Sequence, residues 1–169
     1  FEYIYLEEGN DLEQLIKVFH SVKGTTRPTV VHIHTEKGHG FAPAVQNKEA
    51  WHWGLPFDRT DGSRPEMPSQ ENYAQLFSDW MLREMKHDKT LVAVTAGTPA
   101  VAGFNRAKRE EAGAQHVDVG IAEEQAMAMI SGMAKGGLRP VWTVTSTFIQ
   151  RAYDQIAQDL CINANPAVI

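Results

Sequence analysis

The stretch 118-DVGIAEEQAMAM-129 sets two carboxylates, Glu123 and Glu124, side by side just inside an apolar helical pattern. Acidic side chains in a first helical turn are favoured by the macrodipole by about 0.3–1 kcal/mol each, so one reading is plain helix-start charge. Consecutive helical residues point about 100° apart, because there are 3.6 per turn, so only one of the pair can face inward. Gly120 permits close backbone approach just upstream. A carboxyl held inward at the end of a strand can hold or pass a proton, which is the second reading. Spacing alone leaves both open and does not choose between the two residues.

Other residues carry possible chemistry. Gly38-His39-Gly40 resembles part of a glycine-rich phosphate loop, but the third glycine of the dinucleotide fingerprint is missing and Pro43 stands where a helix should start. That loop reads as a tight strand exit or as a ligand-facing turn. Neither a Walker A sequence nor a G-x-S-x-G elbow is present, which leaves nucleotide hydrolysis and serine-hydrolase chemistry without support. His32 and His34 lie two apart on a strand and share a face. That is half a metal site or two polar positions on a half-buried strand, and no third ligand sits at diagnostic spacing. His52 lies between Trp51 and Trp53 in a loop, where a partly desolvated imidazole can donate a proton or meet an anion. Packing of the two indoles is the competing explanation.

The bulk composition narrows the class. The 169 residues suffice for one ordinary domain or pieces of two, with 43% hydrophobic and 22% charged residues. A formal net charge of −5 and the lack of a basic run disfavour nucleic-acid or anionic-membrane binding. A single cysteine, Cys161, excludes an internal disulfide and a cysteine-rich zinc site, and fits a reducing, cytoplasmic setting. No apolar run spans a bilayer and no basic-then-apolar signal opens the chain. The chain lacks an initiator Met, starts inside the apolar segment Phe1–Tyr5 and stops on Pro166-Ala167-Val168-Ile169, a strand pattern cut short. It is therefore expected to be a fragment.

The elements that must position these residues alternate between strand and helix patterns. Asp11 reads as the N-cap of a helix to about Lys23, 28-PTVVHIHT-35 as a strand, and 36-EKGHGFAP-43 as a loop. From about Val45 to Pro68 no periodicity appears, which reads as an interdomain linker or a functional loop. Tyr73, Leu76, Phe77, Trp80, Met81 and Met85 give a helical stripe. There follow a strand at 90–96, a helix around 100–111, a strand at 114–119, a helix at 121–135, a strand at 140–146 and a helix from about 147 to 162. The predicted fold class is α/β with parallel sheets joined by right-handed crossovers. Ligands of such sheets gather at the carboxyl ends of strands, where the Lys37–Phe41 loop, the Glu123 turn and the Ser146–Phe148 turn fall.

The run 118-DVGIAEEQA-126 together with 138-LRPVWTVTSTFIQRAYDQI-156 resembles the pyrimidine-binding domain of the 1-deoxy-D-xylulose-5-phosphate synthase family, thiamine diphosphate enzymes of the transketolase superfamily. Upstream, 35-TEKGHGFAPA-44 and 51-WHWGLPFD-58 resemble two further segments of that family, and Phe1–Asp11 resembles a diverged third. The resemblance runs over nearly the whole chain. It implies three parts: residues 1–50 as the C-terminal part of a diphosphate-binding domain, 51–70 as a linker and 71–169 as the start of a pyrimidine-binding domain. It implies that Glu123 contacts N1′ of the cofactor's aminopyrimidine, that Phe148 stacks on that ring, and that Phe41 is a second cofactor contact. By the same route His52 is a catalytic histidine on the substrate side, with Lys37, Arg151 and Ser146 as further substrate-side candidates. The implied cofactors are thiamine diphosphate and Mg²⁺. No residue of this chain is assigned as a metal ligand, since the family's G-D-G motif is absent.

The implied reaction condenses pyruvate with D-glyceraldehyde 3-phosphate, with loss of CO₂, in a homodimer serving isoprenoid and thiamine precursor synthesis. The segment by itself is expected to be inactive. Departures bear on the substrate: Thr145 replaces a tyrosine, Asn10 a histidine, and Glu124-Gln125 a Gln-His pair. The alternatives are a transketolase-type ketol transfer and a non-catalytic diverged paralogue. Gln150–Gln155 speaks against the former, and retention of Glu123 and Phe148 against the latter.

Overall fold

The computed structural model describes residues 1–65 and 72–169, and the chain divides into two compact units, 1–68 and 69–169. In the first unit, strand β1 (Glu2–Leu6) and strand β2 (Thr29–Ile33) pair in parallel from Glu2↔Thr29 to Leu6↔Ile33. Helix α1 (Leu12–Val22) makes the crossover between them. The Asp11 carboxylate caps it, accepting from Glu13 N at 2.8 Å and Gln14 N at 3.2 Å. The apolar opening segment is thus a strand. Its alternation is visible once the pairing is known, with Ile4 and Leu6 half-buried and Tyr3 and Tyr5 exposed.

The segment after β2 holds one short helix and then, over the described residues 47–65, turns and irregular chain. Helix α2 (Ala42–Gln46) carries Pro43 in its first turn, where a missing N–H costs nothing. The rings of Phe41, just before it, and of Trp51 and Phe57, beyond it, form a cluster with centroids 4.7–5.4 Å apart. Arg64 lies over the Trp51 ring at 4.5 Å and donates to the Ala50 carbonyl at 2.7 Å. A loop held by ring contacts has no sequence period, so periodicity could not report it.

The second unit is a three-stranded parallel sheet of order β4-β3-β5. Helix α3 (Tyr73–His87) leads to strand β3 (Leu91–Thr95), and helix α4 (Arg106–Ala112) leads to strand β4 (His116–Asp118). Helix α5 (Glu123–Lys135) crosses to strand β5 (Arg139–Trp142). All five residues of β3 are buried, as a central parallel strand covered on both faces requires. Leu91 and Ala93 join Met81, Leu82, Met85 and Phe104 on the α3–α4 side, whereas Val92 and Val94 join Ala126, Met127, Ile130 and Trp142 on the α5 side.

Several boundaries differ from the pattern reading. The helix expected around 100–111 begins only at Arg106, where Asn105 caps it through Lys108 N at 3.0 Å. The strand expected at 140–146 ends at Trp142. The helix expected from 147 to 162 is broken into helix α6 (Ser146–Ile149), a 3₁₀ turn (Gln150–Ala152), helix α7 (Tyr153–Gln155) and a π-helical stretch (Ile156–Ile162). The π stretch is anchored to α5 by tertiary bonds. Ser131 Oγ donates to the Asp159 carbonyl at 2.7 Å, and Asn165 Nδ2 donates to Ser131 Oγ at 2.8 Å.

Gly103 makes the turn before α4 possible. Its φ is +84°, and an added Cβ would lie 2.1 Å from the Ala74 carbonyl oxygen. Gly103→Ala is therefore expected to destabilise this unit by about 2 kcal/mol or more, measured by urea denaturation. A loss under about 0.5 kcal/mol would show that the α3–α4 corner yields easily.

Candidate functional site

In the second unit the candidate residues gather where β4 and β5 end and α5 begins. Glu123 is the first residue of α5 and is 2% exposed, whereas Glu124 is half-buried. Their roughly 100° separation is thus resolved by the fold, with Glu123 as the inward member. Both acids sit in the first turn, at the positive end of the helix dipole. Gly120, at φ +73°, lets the chain turn from β4 into α5.

Glu123 Oε2 lies 3.2 Å from Arg151 Nη1, yet among the described residues it has no aligned hydrogen-bond donor. The contact is a charge pair without a directed bond. Arg151 itself is 49% exposed, so its guanidinium keeps much of its hydration. A buried carboxylate oxygen without a donor is unusual, because desolvating such an atom uncompensated costs about 1–3 kcal/mol or more. Trp142 Nε1, at the end of β5, and Gln155 Oε1 are likewise buried without a partner among the described residues.

Phe148 lies in α6, just beyond β5, and is 42% exposed. Ser146 opens the same helix, and Thr145 stands at its cap position with no side-chain cap bond. Ala152 is fully buried in the same core cluster as Ala126, which packs the 3₁₀ turn carrying Arg151 onto α5. The structure therefore brings Glu123 and Arg151 into contact and puts Phe148 and Ser146 on the helix that runs directly into the 3₁₀ turn of Arg151.

In the first unit, Lys37 Nζ donates to His52 Nδ1 at the surface. Phe41 stands at the cap position of α2, in the ring cluster with Trp51 and Phe57. Trp51 thus packs while His52 points to a cationic neighbour, which answers why the loop carries both. His32 and His34 have other partners: Tyr3 Oη shares a hydrogen bond with His32 Nδ1 at 2.7 Å, and His34 Nδ1 lies 3.0 Å from Glu7 Oε1. Among the described residues no group of three His, Cys, Asp or Glu side chains could hold a metal ion, and no helix is long and apolar enough to cross a membrane.

Sequence reasoning missed Asp118 and His116. Asp118 Oδ1 accepts from Gly120 N at 2.9 Å, an Asx turn that an Asp two residues before a Gly at a strand end can signal. His116 packs against the Phe104 ring, tilted by 38°, with centroids 4.8 Å apart. Burial there holds its pKa below the usual 6.5, against the opposing pull of Asp118 and with a further downward push from Arg109. No spacing rule marks this pairing, because it joins a loop residue before α4 to the first residue of β4.

Residues 69–169 match the family described as the pyrimidine binding domain of transketolase. The whole chain is also similar to enzymes named 1-deoxy-D-xylulose-5-phosphate synthase. Identity is 39% over 172 residues to synthase 1 of Geobacter sulfurreducens and 36% over 169 residues to the enzyme of Proteus mirabilis. It is 38% over 168 residues to that of Syntrophomonas wolfei. Each alignment covers 99% of this chain but only 26% or 27% of the relative, so the chain spans about a quarter of the length of the proteins it matches. The match falls on the unit that contains β3, β4, β5 and Glu123, and on that basis the chain belongs to the transketolase pyrimidine-binding domain family.

Proposed function

We propose that this chain is part of a thiamine diphosphate-dependent transferase that condenses pyruvate with D-glyceraldehyde 3-phosphate, releasing CO₂ and yielding 1-deoxy-D-xylulose 5-phosphate. The observation that carries the reading is Glu123: a buried carboxylate at the start of α5, at the carboxyl end of a parallel sheet, with Oε2 lacking an aligned donor among the described residues. An aminopyrimidine with a ring nitrogen able to bear a proton is the kind of group that such an oxygen fits. Phe148, half-exposed on α6 just before the turn that carries Arg151, offers an aromatic face for the same flat ring.

Bound thiamine diphosphate supplies a carbon acid and an electron sink for making and breaking bonds beside a carbonyl. In this reading Glu123 holds the proton at the pyrimidine nitrogen N1′. Phe148 and Phe41 orient the cofactor, and Arg151 keeps positive charge near the Glu123 carboxylate. His52 handles a substrate proton, with Lys37 beside it to hold charge, and Ser146 and Arg151 stand on the substrate side. Residues 1–50 form the end of a diphosphate-binding domain, 51–70 a linker and 71–169 the start of the pyrimidine domain. The Mg²⁺ ligands belong to a part of the polypeptide outside this chain, and the working form is a cytoplasmic homodimer.

The test is thiamine diphosphate binding in the presence of Mg²⁺, by calorimetry, for the longer polypeptide that this reading requires and for the 169-residue chain. Saturable binding by the former and none by the latter is expected. Failure of the longer protein to bind the cofactor overturns the reading.

A further inference from the structure

Asp118 ends β4 exposed to solvent, yet both of its carboxylate oxygens are engaged. Oδ2 accepts from Thr95 Oγ1 at 2.6 Å and from Gly97 N at 3.0 Å, while Oδ1 accepts from Gly120 N at 2.9 Å. Thr95 is fully buried and closes β3, Gly97 lies in the loop that follows, and Gly120 lies in the turn into α5. One side chain therefore ties the ends of two neighbouring strands to the turn that delivers Glu123. The backbone adds Val119 N to Thr95 O at 3.0 Å and Ala122 N to Gly120 O at 2.8 Å. The cap residue of α5 is Ala122, which has no polar side chain to fix the helix start. The placement of the first α5 residue is left to this clamp and to packing behind it.

We propose that Asp118 is a positioning residue, whose three acceptor bonds hold the Val119–Ala122 turn so that the Glu123 carboxyl meets the group it serves. The proposal rests on the reading of Glu123 given above. A misplacement of about 1 Å at a reacting group can cost about 10²-fold in rate, so a clamp of this kind acts on turnover more than on folding. An Asx turn that merely stabilised the loop would act on folding alone.

Asp118→Asn separates the two. Whichever way the amide is turned, its NH₂ faces a backbone N–H, that of Gly120 at the Oδ1 position or that of Gly97 at the Oδ2 position. In the intact enzyme kcat is expected to fall by about 10- to 100-fold with KM for pyruvate little changed. Introduced on a Glu123→Gln background, the same substitution is expected to change residual kcat by less than about two-fold, since it acts through Glu123. Amide hydrogen exchange on the 169-residue chain gives a readout without turnover: the Gly97 and Gly120 amides should exchange faster while those of β3 stay protected.

Near wild-type kcat in Asp118→Asn, or an equal loss with and without Glu123, would overturn the proposal. So would a general loss of protection in β3. Thr95→Val removes one donor while keeping the side-chain shape, and should give a smaller loss with the same dependence on Glu123. It carries the test if Asp118→Asn fails to fold. Full activity of Glu123→Gln alone would instead overturn the catalytic reading, while the Gly120 exchange would still report on the clamp.

Discussion

Replacing Phe104 by alanine is expected to cost about 3–5 kcal/mol of folding stability and to flatten the acid side of the stability profile. Phe104 is fully buried on the α3–α4 side of the sheet, against Met81, Leu82 and Met85, with the Phe77 ring edge-on at 6.4 Å. Its backbone is pinned on both sides, by its own N–H to the Pro99 carbonyl and by Arg109 Nη1 to its carbonyl, each at 2.8 Å. The surroundings therefore cannot collapse readily into the space left by the ring, which places the cost in the upper part of that range.

The same ring covers His116, whose pKa burial depresses below 6.5. A depressed folded pKa means that the unfolded chain binds more protons there. Stability is then full above about pH 6.5 and is lost as pH falls from that value toward the folded pKa. Admitting water at position 104 brings the two pKa values together, so this slope shrinks in Phe104→Ala. Glu7, Asp58 and Asp88 do not confuse the window, because their pKa values are lowered from 4.5, 3.8 and 3.8 by hydrogen bonds and titrate in stronger acid. Urea denaturation of both proteins between about pH 5 and about pH 8 checks the claim. A loss under about 1 kcal/mol, or an unchanged slope, would contradict it.

How much of this was readable in the chain follows from the kind of contact involved. The apolar run Leu91–Thr95 announced a strand buried on both faces, and β3 is one. The apolar stripe from Tyr73 to Met85 announced α3 just as directly. The Phe41–Trp51–Phe57 cluster was invisible because ring contacts across a loop repeat at no fixed interval. The break-up of the last helix was invisible for a related reason, since Ser131 on α5 and Asn165 beyond the helix engage the Asp159 carbonyl from a distance in sequence. At the site, geometry alone said that one of Glu123 and Glu124 turns inward. Which one depended on where the Gly120 turn starts α5, at Glu123 and not at Ile121 as the pattern suggested. The Arg151 contact depended on a 3₁₀ turn that no periodicity predicts.

Glu123→Gln is expected to leave the fold intact and to reduce turnover of the intact enzyme by about 10²- to 10⁴-fold, the span typical of a lost proton-transfer group. Glutamine has the same size as glutamate, so a side chain only 2% exposed can be replaced without a cavity. The charge lost is the partner of Arg151. Breaking a fully buried ion pair costs about 3–5 kcal/mol because the remaining charge is stranded. Here Arg151 is 49% exposed and water takes up its charge, so the expected change in stability is within about 1 kcal/mol. Glutamine can still accept a hydrogen bond through its carbonyl oxygen, but it cannot take or give a proton at the cofactor ring. Cofactor affinity should consequently fall much less than kcat. Glu124→Gln is the matching control: it removes the neighbouring first-turn charge from a half-buried position and should keep kcat within about two-fold. Steady-state kinetics and thermal melts of both variants decide the matter. Wild-type turnover in Glu123→Gln would remove the catalytic reading, and equal losses in both variants would show that helix-start charge, not proton handling, is what the pair supplies.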